Sequence, residues 1–266
     1  STYQTPTQTT CLMKRLSILA ILILLFSCEL SKPTSPVTFP KLISEGMVVQ
    51  RDQPIAIWGK GIPGEKIRAS LAGAIGSTKV LEDSTWSVEL PPLPHGGPFE
   101  LQVNSQVIKD VWIGDVWLAG GQSNMEWTVE QSNNAKNEIA EANFPTIRHI
   151  NIPNEINSIP SSSFKNTTWQ VCSPNTVAEF TAVGYFYAKE ITQKLNIPIG
   201  LINATWGGTN IETWISREGF ESSDEFKEMI AQMPKVNIDS LLESKMILAK
   251  KRIEAIQKTK FTTDKV

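Results

Sequence analysis

Hydrophobic and polar residues alternate along the first part of the chain, between about residues 37 and 111. The alternation is strict in three runs, at residues 66–71, 86–90 and 99–103. A period of two sends successive side chains to opposite faces of a β-strand, so that one face lies inward and the other faces water. Turn pairs such as Pro63-Gly64 and Gly96-Gly97 separate the runs. Short strands with turns between them predict a small antiparallel β-sandwich.

The pattern changes after residue 110 to strands that alternate with helices. Residues 116–119 are continuously apolar, which predicts a strand buried on both faces of a parallel sheet. Residues 199–202 predict a second short buried strand. Between them, five apolar residues recur at a spacing of three and four and predict an amphipathic helix: Val183, Phe186, Tyr187, Ile191 and Leu195. This alternation predicts an α/β domain from about residue 113 onward.

A further amphipathic helix is predicted near the end of the chain. Ser240 and Glu243 have the spacing of a capping box, which marks a helix start. An apolar stripe follows at Leu242, Met246, Ala249, Ile253 and Ile256. This stripe needs a partner surface, yet the sequence ends at Val266 without a closing strand.

The first 28 residues have the pattern of an export signal. Lys14 and Arg15 follow Met13 and precede an apolar run at residues 16–26, which is too short to span a bilayer comfortably. Ser27 and Cys28 follow the run, and the sequence Leu25-Phe26-Ser27-Cys28 resembles the lipobox of bacterial lipoproteins. We therefore expect cleavage before Cys28, lipidation of its thiol and a location in the bacterial periplasm or at the cell surface. An ordinary signal peptide with an incidental cysteine is the alternative.

The domain organisation follows from these patterns. Residues 1–28 comprise upstream residues and the signal peptide, and residues 29–38, rich in Pro, Ser and Thr, form a linker. Residues 39–110 form the β-sandwich and residues 111–266 the α/β domain. If Cys28 carries a lipid, the mature chain retains only Cys172, and we expect no internal disulfide.

Charge and composition exclude some classes of function for this protein. The 266 residues include 25 Lys and Arg against 27 Asp and Glu, so the net charge is −2 and a nucleic-acid partner is not expected. The scattered cysteines lack the Cys/His spacing of a zinc site, and we expect no metal. With only His95 and His149 present, histidine-dependent chemistry has few candidates.

The sharpest candidate for chemistry is Ser123, in the segment Gly120-Gly121-Gln122-Ser123-Asn124-Met125. A residue that directly follows a parallel strand lies at the edge where α/β sheets bind ligands. The preceding glycines permit a tight turn, and the Ser123 N–H at the start of a helix could stabilise an oxyanion. The alternative is a helix N-cap with a structural role only. The G-x-S-x-G elbow of α/β-hydrolases is absent, because Met125 stands at its second glycine position.

Three separated blocks, in the expected order, resemble the sialate O-acetylesterase family of SGNH, or GDSL-like, hydrolases. The block around Ser123, at residues 114–127, resembles the family's nucleophile block. Residues 47–65 resemble its N-terminal β region, and residues 200–214, which include Trp206-Gly207-Gly208-Thr209, resemble its second block. The resemblance covers residues 39–217.

This resemblance implies an SGNH-type three-layer α/β domain, and hydrolysis of acetyl esters on sugars, particularly O-acetylated sialic acid. It implies Ser123 as the nucleophile, and an oxyanion hole formed by the N–H of Ser123 and one N–H from Gly207 or Gly208. It implies no cofactor and no metal. Trp127, Trp206 and Trp214 flank these segments and are either sugar-stacking walls or core aromatics.

The family's Gln-Gly-Glu and Asp-x-x-His blocks do not occur in this sequence. His149 lies in a predicted strand and His95 in a Pro-rich turn, and both are interpreted as structural or surface residues. Because a serine nucleophile needs an adjacent base, we expect the chain to be an N-terminal part of a longer enzyme. Alone, we expect it to be weakly active and marginally stable. The alternatives are a non-catalytic, membrane-tethered carbohydrate-binding protein on a degenerate esterase scaffold, and a fragment that is not made as a stable protein.

Overall fold

The computed structural model describes residues 36–156, 161, 164, 167–232 and 238–258. The predicted signal peptide and Cys28 lie outside these residues. Within them, no helix has the length and apolar character needed to cross a membrane. Strands dominate up to residue 121 and helices alternate with strands thereafter, so the predicted α/β class is confirmed.

The first region is a β-sandwich in which all strands except the first pair antiparallel with one another. Its strands are β1 (Val48–Gln50), β2 (Ile55–Lys60), β3 (Lys66–Leu71), β4 (Ala74–Lys79), β5 (Thr85–Leu90) and β6 (Gly96–Val103). β2 and β5 form a two-stranded sheet, while β3 lies between β4 and β6 in a larger one. The three alternating runs all lie in these strands, and their inward residues form one core, which includes Ile57, Ile67, Trp86 and Leu101. The predicted strands are confirmed because their apolar faces meet across the two sheets.

Two local boundaries differ from the sequence prediction. Gly96 and Gly97 are not a break between strands but the first residues of β6, whose pairing with the next strand shifts register before Phe99. Val37 and Thr38, assigned to the linker, belong to the fold, since Val37 is buried and Thr38 pairs with Lys60.

The second region is built on one long strand. β7 (Gln106–Gly121) continues into the helices α1 (Ser123–Glu126) and α2 (Ala135–Glu141), then β8 (Phe144–Asn151) and β9 (Gln170–Cys172). The remaining elements are α3 (Ala182–Leu195), β10 (Ile199–Thr205), α4 (Arg217–Glu221), α5 (Lys227–Gln232) and α6 (Ile238–Lys258). β10 lies between β7 and β8 and is parallel to both, and β9 pairs antiparallel with β8.

β7 belongs to both regions. Its first half pairs antiparallel with β6, and residues 112–114 pair parallel with β1. Its second half pairs with β10, from Asp115 opposite Ile199 to Gly121 opposite Thr205. The domain boundary placed by the sequence between residues 110 and 111 therefore falls inside a continuous strand, and the division into two domains stays a prediction.

The residue just before β10, Pro198, lies very close to Gly114 of β7. The Asp115 N–H donates to the Pro198 carbonyl oxygen at 2.9 Å. A side chain at Gly114 would overlap that carbonyl group. Glycine at this position is required by space and not by an unusual backbone angle, since its φ is not in the left-handed region.

An ion pair between Asp110 and Arg148 joins β7 to β8, close in sequence to Gly114. The two terminal guanidinium nitrogens of Arg148 donate to the Asp110 carboxylate, at 2.5 and 3.1 Å, and the Trp112 indole N–H donates to it at 2.9 Å. The Arg148 side chain is 5% exposed. Because a buried charge is costly unless it is paired, this contact fixes where β8 lies.

The prediction that residues 116–119 are buried on both faces is wrong. Trp117 is 45% exposed and Leu118 is 70% exposed. The Trp117 ring packs edge-on against Tyr187 of α3, with 5.0 Å between ring centroids. Among the described residues no helix packs over Leu118, so this face of the sheet is covered only in part.

The helix predicted around residues 183–195 is confirmed as α3, but its predicted apolar face is not the buried one. Val183, Phe186, Tyr187 and Leu195 are exposed, whereas the buried residues are Ala182, Gly184, Tyr185 and Ala188. Glycine is needed at residue 184 because a Cβ there would be 2.7 Å from the Thr181 Cγ2 atom, whereas it would reach Leu201 of β10 only at ordinary van der Waals distance, 3.5 Å.

The C-terminal helix is confirmed as α6, but its predicted capping box is wrong. α6 begins at Ile238, so Ser240 lies inside the helix. Leu242, Met246 and Ile253 of the predicted stripe are exposed. Nothing in the described part of the chain covers these three side chains.

His149 is part of the core of the second region. It is 3% exposed in β8, and its ring stacks on Phe180 with 4.3 Å between centroids. Burial lowers the pKa of His149 to about 4. Its Nε2 atom has no hydrogen-bond partner among the described residues.

We predict that Gly114→Ala destabilises the chain by about 2–3 kcal/mol or more, because the new methyl group must displace the Pro198 backbone. Gly120→Ala is the matched control in the same strand, since a Cβ there meets only the Ala204 oxygen, at 3.9 Å. Urea-induced unfolding of both variants measures the difference. Equal stability of the two would contradict the close approach described above.

We predict that His149 makes the fold sensitive to acid. Between pH 4 and 6.5 the unfolded chain binds a proton at this residue that the folded chain does not, so stability falls as the pH drops through this window. The contribution between pH 7 and pH 5 is about 2 kcal/mol. His149→Gln should remove that part of the pH dependence, whereas His95→Gln, at an exposed position, should not. Urea unfolding at the two pH values tests this, and identical pH dependence in all three proteins would contradict it.

Candidate functional site

Ser123 lies at the carboxyl end of β7, where the strand turns into α1. Gly121, the last residue of β7, has a φ of +129°, a conformation that favours glycine. Gln122 occupies the N-cap position, so Ser123 is the first helical residue and the N-cap interpretation is wrong. Its side chain is exposed, and its N–H is one of the helix donors left without an intrahelical acceptor.

A second turn, residues 206–208, lies directly beside it, and we call it the Gly207 turn. The Trp206 N–H donates to the Gly121 carbonyl oxygen at 2.9 Å, which ties the end of β10 to the end of β7. A Cβ at Gly207 would be 3.6 Å from the Oγ of Ser123. The structure therefore brings together Ser123 and the glycine pair that the sequence placed in one site.

Glu126 is a member of this site that the sequence analysis missed. The Gly207 N–H donates to the Glu126 carboxylate at 2.8 Å. Glu126 is three residues after Ser123, so both side chains lie on the same face of one helical turn. The spacing of three residues could have drawn attention to Glu126. Its hydrogen-bond partner could not be foreseen, because Gly207 is 81 residues away in sequence.

Gly208, the other predicted oxyanion residue, has a different environment. Its φ is +74°, and an added Cβ would meet no atom within 4 Å. It is exposed, and its N–H makes no hydrogen bond to another described residue.

Thr181 is a second residue that the sequence analysis missed. Its hydroxyl donates to the Met125 carbonyl oxygen at 2.6 Å and caps the first turn of α3. The next residue, Ala182, donates its N–H to the Trp127 carbonyl oxygen at 2.8 Å. These two contacts hold the short helix α1, which with four residues would not be stable alone.

Two of the three tryptophans line a cavity next to the Gly207 turn. This cavity, of about 480 Å³, is lined by Trp206, Trp214, Thr209, Thr213, Glu155 and Ile156. The Trp214 indole N–H donates to the Thr209 hydroxyl at 2.9 Å, and that hydroxyl donates to the Trp206 carbonyl oxygen at 2.8 Å. Trp127 is not part of this cavity, and its indole N–H donates to the Gln131 carbonyl oxygen.

The site as described contains a nucleophile candidate and donors, but no base. His95 is exposed before β6 and His149 is buried in β8, and within the described residues neither contacts Ser123. No group of three or more His, Cys, Asp or Glu residues in the described part of the chain could hold a metal ion. Chemically, the arrangement can present a hydroxyl beside backbone N–H donors, as acyl transfer requires.

Comparison with known proteins gives one consistent result. A crystal structure of a carbohydrate acetylesterase from Xanthomonas citri matches with a TM-score of 0.67 and 37% identity, over 72% of this chain and 45% of that one. Sialate O-acetylesterase from Mus musculus is 33% identical over 203 residues, and the same enzyme from Homo sapiens is 32% identical over 202 residues.

These alignments cover 67% of this chain but only 37–38% of the mouse and human proteins. A family model described as "Carbohydrate esterase, sialic acid-specific acetylesterase" matches residues 113–248, which is half of the sequence and includes both Ser123 and the Gly207 turn. The chain therefore belongs to the carbohydrate esterase family of sialic acid-specific acetylesterases.

Proposed function

We propose that the protein containing this chain removes acetyl groups from O-acetylated carbohydrates, with Ser123 as its nucleophile. One observation carries the proposal. At the carboxyl edge of two adjacent parallel strands, the exposed Ser123 lies against Gly207, and a Cβ added to that glycine would be 3.6 Å from the serine Oγ. A hydroxyl and free backbone donors at such an edge are the parts that ester hydrolysis needs.

The reaction proceeds in two steps. The Oγ of Ser123 attacks the carbonyl carbon of the acetyl ester, and the carbonyl oxygen becomes an oxyanion. The N–H of Ser123 and one N–H of the Gly207 turn donate to that oxyanion. Collapse of the intermediate releases the sugar hydroxyl and leaves an acetyl group on Ser123, which water then removes as acetate.

The serine requires a base that accepts its proton and returns it to the leaving sugar oxygen. The resemblance places this base in an Asp-x-x-His block, which the present sequence does not contain. Ser123 and its donors alone provide only the electrostatic part of catalysis, where each oxyanion donor contributes roughly 3–4 kcal/mol.

The sugar is best accommodated by the cavity beside Trp206 and Trp214. Flat aromatic faces suit the apolar faces of a sugar ring, and the Glu155 carboxylate can accept hydrogen bonds from hydroxyl groups. O-acetylated sialic acid is the first substrate to test, because the mouse and human relatives are sialate O-acetylesterases.

A non-catalytic, membrane-tethered carbohydrate-binding protein is the second candidate function. It is favoured by one observation, which is that neither histidine contacts Ser123 within the described residues. Binding of an acetylated sugar without release of acetate, by the protein with its complete sequence, would support it over the esterase.

The Ser123 role is tested by measuring hydrolysis of 4-nitrophenyl acetate and of an O-acetylated sialic acid by the protein with its complete sequence. We predict that Ser123→Ala lowers the rate at least about 10³-fold, because no other described side chain offers a nucleophile at this position. Ser132→Ala, in the loop that follows α1, is the matched control and should keep the rate of the unsubstituted protein. Turnover that survives in Ser123→Ala would contradict the proposal.

We propose in addition that the protein is exported and lipid-anchored through Cys28, on the basis of the charged and apolar pattern at residues 13–28. In cells fed radiolabelled palmitate, the protein should incorporate label and sediment with membranes. Cys28→Ser should abolish labelling, whereas Cys172→Ser should not, because the Cys172 thiol is buried. Unchanged labelling of Cys28→Ser would contradict the anchor.

A further inference from the structure

The two glycines of the Gly207 turn are not equivalent. The Gly207 N–H already has a strong acceptor, the Glu126 carboxylate at 2.8 Å. Hydrogen bonds to ionised acceptors are roughly twice as strong as those between neutral groups. An oxyanion of the substrate could use this N–H only by displacing Glu126.

Displacement of Glu126 would carry an electrostatic penalty. The side chain would remain on the same helical turn as Ser123, so its negative charge would stay close to the developing oxyanion. Like charges a few ångströms apart repel one another, and they do so more strongly in a partly buried site than in water. A bound Glu126, with its charge satisfied by the Gly207 N–H, is therefore the more favourable arrangement during the reaction.

Further hydrogen bonds hold the same part of the turn. The Trp206 N–H is bonded to Gly121, and the Trp206 carbonyl oxygen accepts from the Thr209 hydroxyl. Together with the Glu126 contact, they fix the backbone on both sides of Gly208. The Gly208 N–H itself has no partner among the described residues, and a Cβ added at Gly208 would meet no atom within 4 Å.

We infer that Glu126 is a positioning residue which engages the Gly207 N–H and fixes the turn, so that the Gly208 N–H is the second donor to the oxyanion. This assignment rests on the proposed esterase function, because it divides structural and catalytic roles within that site. The Glu126 carboxylate acts through the turn and does not touch the reacting atoms.

Amide hydrogen exchange, measured by NMR on the full chain, tests the role of Glu126 without requiring turnover. In Glu126→Ala the Gly207 amide should exchange about tenfold faster, as expected for the loss of one charge-assisted hydrogen bond. Glu126→Gln should restore most of the protection, because its amide oxygen can accept the same bond. Glu130→Ala, which removes an exposed carboxylate from the neighbouring turn, is the matched control and should leave Gly207 unchanged. Equal exchange at Gly207 in all four proteins would overturn the inference.

Methylboronic acid tests which glycine is the donor. Its boron forms a bond to the Ser123 oxygen with release of a proton, and the resulting tetrahedral anion resembles the acetyl intermediate. We expect the largest amide shifts at Ser123 and Gly208, with Gly207 almost unchanged. A large shift at Gly207 with none at Gly208 would overturn the assignment.

The same titration separates this inference from the proposed function. Ser123→Ala should show no response to the boronic acid. If the unsubstituted protein also shows none, Ser123 as nucleophile and the Gly208 donor are both contradicted, while the exchange at Gly207 still decides whether Glu126 holds the turn.

Discussion

The close approach of β10 to β7 at Gly114 is the constraint on which the rest of the structure depends. The Pro198 carbonyl oxygen occupies the space of a side chain at Gly114, so the observed register of the two strands places a glycine where only a glycine fits. A shift by one residue would also exchange the faces of every side chain on β10. From this level the pairing runs seven residues to Gly121 opposite Thr205, and the distance between Ser123 and Gly207 follows from it.

Polar contacts between distant segments also fix the geometry around Ser123. The pair of Arg148 with Asp110 fixes β8 against β7, and Thr181 fixes α1 against α3. Each contact joins segments more than 35 residues apart in sequence. The exposed serine is thus supported by buried groups, which suits a site that must keep its geometry while its surface remains open to a ligand.

The sequence predicted those features of the fold that a local pattern of residues determines. Strict alternation identified the strands of the sandwich, and the strand–glycine–serine order located the turn of Ser123. The sequence-based prediction of burial was wrong for Leu118 and for the outer face of α3. Burial depends on what packs against an element, which the pattern within that element does not show. Gly184 illustrates the reason: this small residue is inside not for its apolarity but because a side chain there would collide with Thr181.

Glu126 escaped the sequence analysis for a similar reason, since its partner is a backbone N–H and no side-chain pattern marks it.

The continuity of β7 limits where the chain can be cut into separate modules, and so how it can recombine with other genes. A fusion of two independent modules leaves a linker at the junction, where either part can be exchanged for another. Here the strand that leaves the sandwich is the strand that ends at the turn of Ser123, without interruption from Gln106 to Gly121. The sandwich and the turn of Ser123 therefore share one continuous strand of the scaffold. Recombination would have to carry both halves together.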